Sequence, residues 1–306
     1  MSDIFNLLLF QNTLRTATPV VLCALGCLMT DQVGIMNIGV DGMILMGAFA
    51  AVFASYTFGS WAAALAVTVL LGLVLGLVYY VFVIKLKSDE FIIGVALNIL
   101  AAGATVFLLR TLLHVKGAFT SPDIVPLPTI RIPFLEGVPI LGDLLSGNTL
   151  LVYFSWFAVI AGWVFLYKTP TGFHLRASGE APEALRASGK SPERMKLLAS
   201  LLCGALSCLA GAHLSLGYLT MFTENMSASR GYVAVACVIF GGSNPPRVFL
   251  ASLLFSFIDA LGLRLQSHIS SDLTSMAPYV VTVVMMVVVV LWRRRKQKKR
   301  SALADR

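Results

Sequence analysis

The run WAAALAVTVLLGLVLGLVYYVFVI at residues 61–84 contains no charged side chain. A helix needs about 20 mostly apolar residues to cross a bilayer, so this run predicts a transmembrane span. Eight further runs of similar character predict spans, and together the nine cover roughly residues 12–32, 35–58, 61–84, 91–113, 149–167, 197–219, 231–243, 247–266 and 276–292. Because lipid offers backbone groups no hydrogen-bond partners, each span must be helical.

The composition excludes a water-soluble globule. Hydrophobic residues make up 58% of the 306, charged residues only 12%, and the mean hydropathy is +0.85. Soluble domains are about half apolar and a quarter charged. The sequence therefore predicts one all-α, polytopic membrane domain over 1–292 with 8–10 transmembrane helices. The short run 231–243 and the glycine-rich stretch 34–48 are candidates for broken or re-entrant helices.

The basic residues predict the orientation. The tail 293–306 is strongly basic and directly follows an apolar run, which favours a cytoplasmic C-terminus. The loop 169–194 then lies inside and the proline-rich loop 114–148 outside. The net charge of +8 is concentrated in this tail, so we expect contact with the lipid bilayer and not with nucleic acid.

Polar side chains inside the apolar runs are candidates for the transport path. Asn37 and Asp41 lie in the stretch 34–48, and Asn98 lies in the run 91–113. Polar groups at membrane depth are costly and usually face the bundle interior or water. The alternative is a structural role: hydrogen bonds between helices for the asparagines, and capping of a helix N-terminus or pairing with a basic group for Asp41.

Other local patterns predict structure more than chemistry. The spacing of Gly72 and Gly76 favours close helix packing. The stretch Ala181–Ser188 predicts a short helix that begins near Pro182 and ends at Gly189. Glu224 and Arg230 flank a short run near the outer face, where an exposed pair would contribute little stability.

Nucleotide binding and catalysis are not indicated. Residues 184–191 fit the phosphate-binding loop pattern only loosely, and a helix-like segment precedes them where a strand is required. The sequence contains no HExxH, GxSxG or CxxC motif. We therefore expect a protein that is not an enzyme and binds no metal and no cofactor.

Five stretches together resemble permeases of the simple-sugar and nucleoside branch of ABC importers, the group that includes ribose and branched-chain amino-acid permeases. They are GIMNIGVDGMILMGA (34–48), EFIIGVALNILAAG (90–103), TPTGFHLRASGEAPEALRASG (169–189), CGALSCLAGAHLSL (203–216) and SRGYVAVACVIFGGSNP (229–245). The chain looks most like the shorter permease of a nucleoside importer in the bacterial plasma (inner) membrane.

The resemblance implies a set of partners. It implies a heterodimer with a second permease subunit, an external substrate-binding protein, and an ABC ATPase that uses ATP and Mg²⁺. It also implies that loop 169–194 contains the coupling helix, which docks on the ATPase through Gly179, Glu180, Ala181, Pro182, Glu183 and Ala184. The transport path would lie at the permease interface, with Asn37, Asp41 and Asn98 as candidates.

Other functions remain open at this stage. Within the family, the cargo is a nucleoside, a simple sugar such as a pentose or hexose, or a riboflavin-type molecule. An ion-coupled secondary transporter would need a chain of intramembrane acidic or histidine residues, and a membrane enzyme would need a polar cluster at one depth.

Overall fold

The computed structural model describes residues 7–130 and 146–265 of the chain. The helices of these two ranges are α1 Leu7–Gln32, α2 Val40–Phe58, α3 Trp61–Tyr80, α4 Glu90–Leu112, α5 Leu150–Lys168, α6 Pro170–Glu180, α7 Pro182–Ala187, α8 Pro192–Ala212, α9 Arg230–Gly241 and α10 Pro245–Leu265. Short π-helical segments prolong α3 over Val81–Lys85 and α8 over His213–Tyr218. The prediction of an all-α protein is confirmed.

Two small antiparallel ribbons join the loops at one end of the bundle. In the first, β1 Ala118–Phe119 pairs with β4 Phe222–Thr223. In the second, β2 Thr129–Ile130 pairs with β3 Asn148–Thr149. We call this end of the bundle the ribbon end, and the opposite end, which carries α6 and α7, the loop end.

Seven helices in the described part of the chain are long and apolar enough to cross a membrane: α1, α2, α3 with its extension, α4, α5, α8 with its extension, and α10. The chain is therefore a multi-pass membrane protein. Helix α9 has only 12 residues, which agrees with the broken or re-entrant helix anticipated for 231–243. The predicted span 276–292, the basic tail 293–306 and part of the loop 114–148 lie outside the described residues.

The helical structure is interrupted between α1 and α2. Residues 34–39 are not helical, and α2 begins only at Val40 and then runs without interruption to Phe58. Met36 anchors this connection, because its N–H donates to the Glu90 carboxylate at 3.2 Å and its carbonyl accepts from the Tyr79 hydroxyl at 3.3 Å. The glycine-rich stretch 34–48 thus contains a turn followed by one intact helix.

Helix α8 lies at the centre and contacts α1, α2 and α3. Glycines make these contacts close. A Cβ atom on Gly76 would lie 2.3 Å from the Ser200 carbonyl oxygen, and one on Gly204 would lie 2.0 Å from that of Gly72. The close helix packing predicted from the spacing of Gly72 and Gly76 is confirmed, because no side chain larger than hydrogen fits there.

Candidate functional site

Helices α2 and α9 both begin inside the bundle, and their first turns meet. The Asp41 carboxylate, on the second residue of α2, accepts hydrogen bonds from Gly231 N at 2.9 Å and from Ser227 Oγ at 3.0 Å. Gly231 is the second residue of α9, so Asp41 caps that helix, as the sequence indicated for this carboxylate. The positive ends of two helix dipoles are therefore close to one carboxylate.

Asn98 on α4 connects both helix starts. Its Oδ1 accepts from Gly42 N at 2.7 Å, and its Nδ2 donates to the Ile38 carbonyl and to the Tyr232 hydroxyl, both at 3.0 Å. The distance along α4 from Glu90 to Asn98 is about 12 Å at the usual helical rise. The hydrocarbon core of a bilayer is about 30 Å thick. The amide thus joins α2, α4 and α9 well below the bundle surface.

Tyr232 lies on the outer surface of this arrangement and was not among the residues predicted from the sequence. Its side chain is 45% exposed, and Asn98 beside it is partly exposed. An exposed amide and hydroxyl at this depth would be costly against lipid. This face is therefore better suited to contact with water or another polypeptide than to contact with lipid. We call the group formed by Asp41, Asn98, Ser227, Gly231 and Tyr232 the junction.

Asn37 lies apart from the junction and points into the bundle. It is 2% exposed. Its Oδ1 accepts from Gly39 N at 2.9 Å, which holds the turn before α2, and its Nδ2 lies 3.5 Å from Cys203 Sγ on α8. The structure thus gives Asn37 the contacts of a structural asparagine and brings only Asp41 and Asn98 of the three predicted residues together.

The segment that leads into α9 has an unusual backbone. Four residues that are not glycine have left-handed φ angles: Thr220 at 51°, Asn225 at 58°, Ala228 at 45° and Ser229 at 61°. Each such conformation is rare for an L-residue and costs about 1–3 kcal/mol. Strain of this kind persists only where the surrounding structure enforces it. Here the strained segment precedes the first turn of α9, which lies against Asp41.

Two charged residues near the start of α9, Glu224 and Arg230, each form an ion pair with a different helix. Arg230 Nη2 lies 3.8 Å from Asp259 Oδ2 on α10, and Glu224 Oε1 lies 4.0 Å from Arg110 Nη2 on α4. Glu224 and Arg230, which flank the short run, therefore pair with other residues and not with each other. The reason is that the strained turn after β4 carries Arg230 into the bundle while Glu224 stays near the ribbon end.

The loop end carries the predicted coupling segment. The predicted short helix is confirmed as α7, and Gly189 ends it with a left-handed φ of 78°. The buried side chain of Leu185 anchors α7. Arg186 donates to Glu183 at 2.8 Å and also to Glu193, and the Glu193 carboxylate raises the pKa of the Arg186 guanidinium.

Most residues of the predicted docking set face outward. Glu180, Ala181, Glu183 and Ala184 are exposed, and Pro182 is half-buried. Helix α6, which the sequence did not predict, begins at a cap in which Thr169 Oγ1 accepts from Gly172 N at 3.1 Å. The two helices form an exposed surface at the loop end of the bundle.

Gly179 differs from the rest of this set because it touches the transmembrane region. A Cβ atom at Gly179 would lie 2.4 Å from the Gln32 carbonyl oxygen and 3.0 Å from Gly34 N. These two residues end α1 and begin the connection to α2. The loop segment is therefore in backbone contact with the chain that leads to Asp41.

No group of three or more His, Cys, Asp or Glu side chains is placed to hold a metal ion within the described ranges 7–130 and 146–265. The cysteines Cys23, Cys27, Cys203, Cys208 and Cys237 are buried free thiols.

Comparison with known proteins gives a consistent result. The family model for the permease component of the branched-chain amino acid transport system matches residues 9–290. No solved structure matches the chain.

Three curated relatives are similar over most of their length. A putative glucose ABC transporter permease protein of Haloferax volcanii, TsgC13, is 32% identical over 85% of this chain and 78% of its own. The guanosine ABC transporter permease protein NupQ of Bacillus subtilis is 30% identical over 89% and 88%. The nucleoside ABC transporter permease protein NupC of Lactococcus lactis is 28% identical over 90% of both chains.

Proposed function

The chain belongs to the family of permease components of branched-chain amino acid transport systems, and we propose that it imports a nucleoside as one of two permease subunits of an ATP-driven importer. It is a multi-pass membrane permease of the ABC-transporter type. The proposed transport mechanism is supported mainly by the junction. There α2 and α9 begin at membrane depth, beside the partly exposed side chains of Asn98 and Tyr232. Helix ends of this kind form substrate sites in other transporters.

The chemistry of the junction favours a flat, polar cargo. The half-exposed ring of Tyr232 offers a stacking surface for a nucleobase. Its hydroxyl already accepts from Asn98, so the hydroxyl hydrogen is free to donate to a ring nitrogen or a ribose oxygen. Two of the relatives carry guanosine or nucleoside in their names. A simple sugar is the second candidate, supported by the glucose permease relative.

The junction is open on one side, which supports a second permease subunit. Tyr232 is exposed next to the polar pair, and Ile239, two helical turns further along the same face of α9, is exposed as well. A cargo bound there needs a second wall, because a site that faced lipid would leave polar groups unsatisfied. We propose that a sister permease supplies this wall and that the path runs between the two, lined here by Asn98, Tyr232 and the α9 start.

The exposed surface at the loop end is the proposed docking site for the ATPase. It presents Glu180, Glu183 and Arg186, together with the 62% exposed ring of Phe173 on α6. The chain itself performs no chemistry in this proposal, and ATP and Mg²⁺ are used by the partner. The loop end is then cytoplasmic, the C-terminal tail 293–306 is on the same side, and an external binding protein docks at the ribbon end in the plasma membrane.

Transport would proceed by alternating access. ATP must bind the two states of the importer with different affinity to shift their populations. The contact of Gly179 with Gln32 and Gly34 provides a direct route from the ATPase surface to the chain before α2. Movement of α6 would then move the α2 start, and with it Asp41 and its partner Gly231 on α9.

Uptake into cells tests this function. The chain is expressed with its ATPase, second permease and binding protein in cells that lack their own nucleoside uptake, and the entry of labelled guanosine, uridine, ribose and glucose is measured. We expect nucleosides to enter and a catalytically dead ATPase to stop uptake. Entry of sugars alone would replace the cargo assignment. Uptake that continues with the dead ATPase and follows an ion gradient would support a secondary transporter instead.

A further inference from the structure

An apolar groove runs along the outside of the bundle between α1, α5 and α10. It has a volume of about 660 Å³. Its lining is apolar throughout and consists of Leu14, Trp156, Val159, Ile160, Trp163, Pro246, Phe249, Leu250 and Leu253. None of the lining residues belongs to the junction, and the groove has no part in the proposed path.

A second depression of about 360 Å³ continues the groove toward the ribbon end. The two share Leu14, Leu250 and Leu253, so they form one channel on the surface. Along α10 this channel extends from Pro246 to Phe257, which is about 16 Å at the usual helical rise. One leaflet of a hydrocarbon core about 30 Å thick has nearly this depth. The channel thus has the length of one acyl chain.

Two cations lie at the loop end of the channel. The Lys168 ammonium lies 5.7 Å from the centre of the Trp163 ring, which lines the groove. Arg247 is exposed and follows the lining residue Pro246. Neither has a carboxylate within 4.0 Å among the described residues. Positive charge at one end of an apolar channel complements an anionic headgroup attached to an acyl chain.

We propose that this channel binds an anionic phospholipid of the cytoplasmic leaflet, with one acyl chain along α10 and the headgroup phosphate between Lys168 and Arg247. The choice of leaflet rests on the proposed orientation of the loop end. The site is a lipid site because its walls carry almost no polar group to recognise a soluble ligand, and because both cations stand where the headgroups of that leaflet lie.

Photo-crosslinking tests the proposal without any transport assay. The purified complex is placed in nanodiscs that contain a trace of phosphatidylglycerol or phosphatidylcholine with a diazirine in one acyl chain, and labelled peptides are identified by mass spectrometry. We expect peptides containing Leu250 and Leu253 to be labelled at least fivefold more by phosphatidylglycerol. The preference should disappear in the double variant Lys168→Gln and Arg247→Gln.

Two further variants separate a bound lipid from ordinary contact with the bilayer. The control Lys85→Gln with Lys87→Gln removes the same charge at the same end of the bundle and should keep the preference. The variant Leu250→Trp narrows the channel and should reduce labelling even with both cations present. Equal labelling by the two lipids overturns the proposal. A second result would also overturn it. If a cysteine introduced at residue 250 forms a disulfide with a cysteine introduced in the segment 276–292 or in the second permease, then protein and not lipid fills the channel.

Discussion

Replacing Gly179 by alanine should uncouple the ATPase from transport. A Cβ atom at this position would lie 2.4 Å from the Gln32 carbonyl oxygen and 3.0 Å from Gly34 N. Ordinary contact begins at 3.4 Å, so α6 must move away from the end of α1 by about 1 Å. Both neighbours are backbone atoms and cannot rotate aside. Over-filling of this kind typically costs about 1–3 kcal/mol.

The same displacement lengthens the backbone contact between α6 and the connection to α2. A shift of about 1–3 kcal/mol in the balance of two states corresponds to a change of about 5–150-fold in their ratio. We therefore expect Gly179→Ala to lower nucleoside uptake at least fivefold. ATP hydrolysis by the assembled complex should persist, because the ATPase itself is unchanged.

The assay compares uptake, ATP hydrolysis and assembly in one preparation. Gly103→Ala is the matched control, since a Cβ atom on Gly103, within α4, would meet nothing within 4 Å. Uptake should be normal in that variant. Normal uptake by Gly179→Ala in a fully assembled complex would show that this contact carries no coupling.

Three further variants give separate tests. Tyr232→Phe removes the hydroxyl that we propose donates to the cargo, so uptake KM should rise about fivefold to tenfold, the effect of about one hydrogen bond, while assembly measured by gel filtration stays normal; an unchanged KM would remove Tyr232 from the cargo site. Glu183→Arg reverses a charge that is 82% exposed at the loop end, and uptake should fall at least tenfold with unchanged membrane insertion; normal uptake would remove Glu183 from the docking surface. Asp41→Asn weakens the cap on Gly231 by about 1 kcal/mol, since bonds to a charged acceptor are the stronger ones. The thermal midpoint of the complex should drop by a few degrees, and an unchanged midpoint would mean that the capping bond adds no stability.

Much of the fold is readable from the sequence because the determining signals are local. A run such as 61–84 must be a membrane helix whatever surrounds it, and Pro182 and Gly189 bound α7 by their own backbone preferences. The small-residue spacing of Gly72 and Gly76 also predicts a close helix contact, although it does not say that the partner is α8.

The site was only partly predictable because its contacts are distant in sequence. Asp41 and Ser227 are 186 positions apart, and Asn98 and Tyr232 are 134 positions apart. Asp41 and Asn98 were found because polar residues are conspicuous in apolar runs. Tyr232 was missed because an aromatic residue in an apolar helix gives no such signal. The polar start of α9 at Ser229 and Arg230 was the one available hint.

The pairing of Arg230 could not be predicted for a related reason. Its partner Asp259 lies on another helix, and the backbone that brings them together depends on left-handed residues such as Asn225 and Ser229. Nothing in the local sequence requires those conformations, since neither residue is glycine. The segment is instead bordered by contacts distant in sequence, such as the bond from Gly231 N to the Asp41 carboxylate.

Whether this chain is a subunit of an ATP-driven importer is tested by ATP hydrolysis of the co-expressed complex in nanodiscs, with its binding protein and either a nucleoside or a sugar. We expect that an ATPase co-purifies with this chain and that a nucleoside-loaded binding protein stimulates hydrolysis several-fold, whereas a sugar-loaded one does not. If no ATPase co-purifies, or if this chain alone transports in liposomes under an ion gradient, the assignment as a subunit of an ATP-driven importer is contradicted.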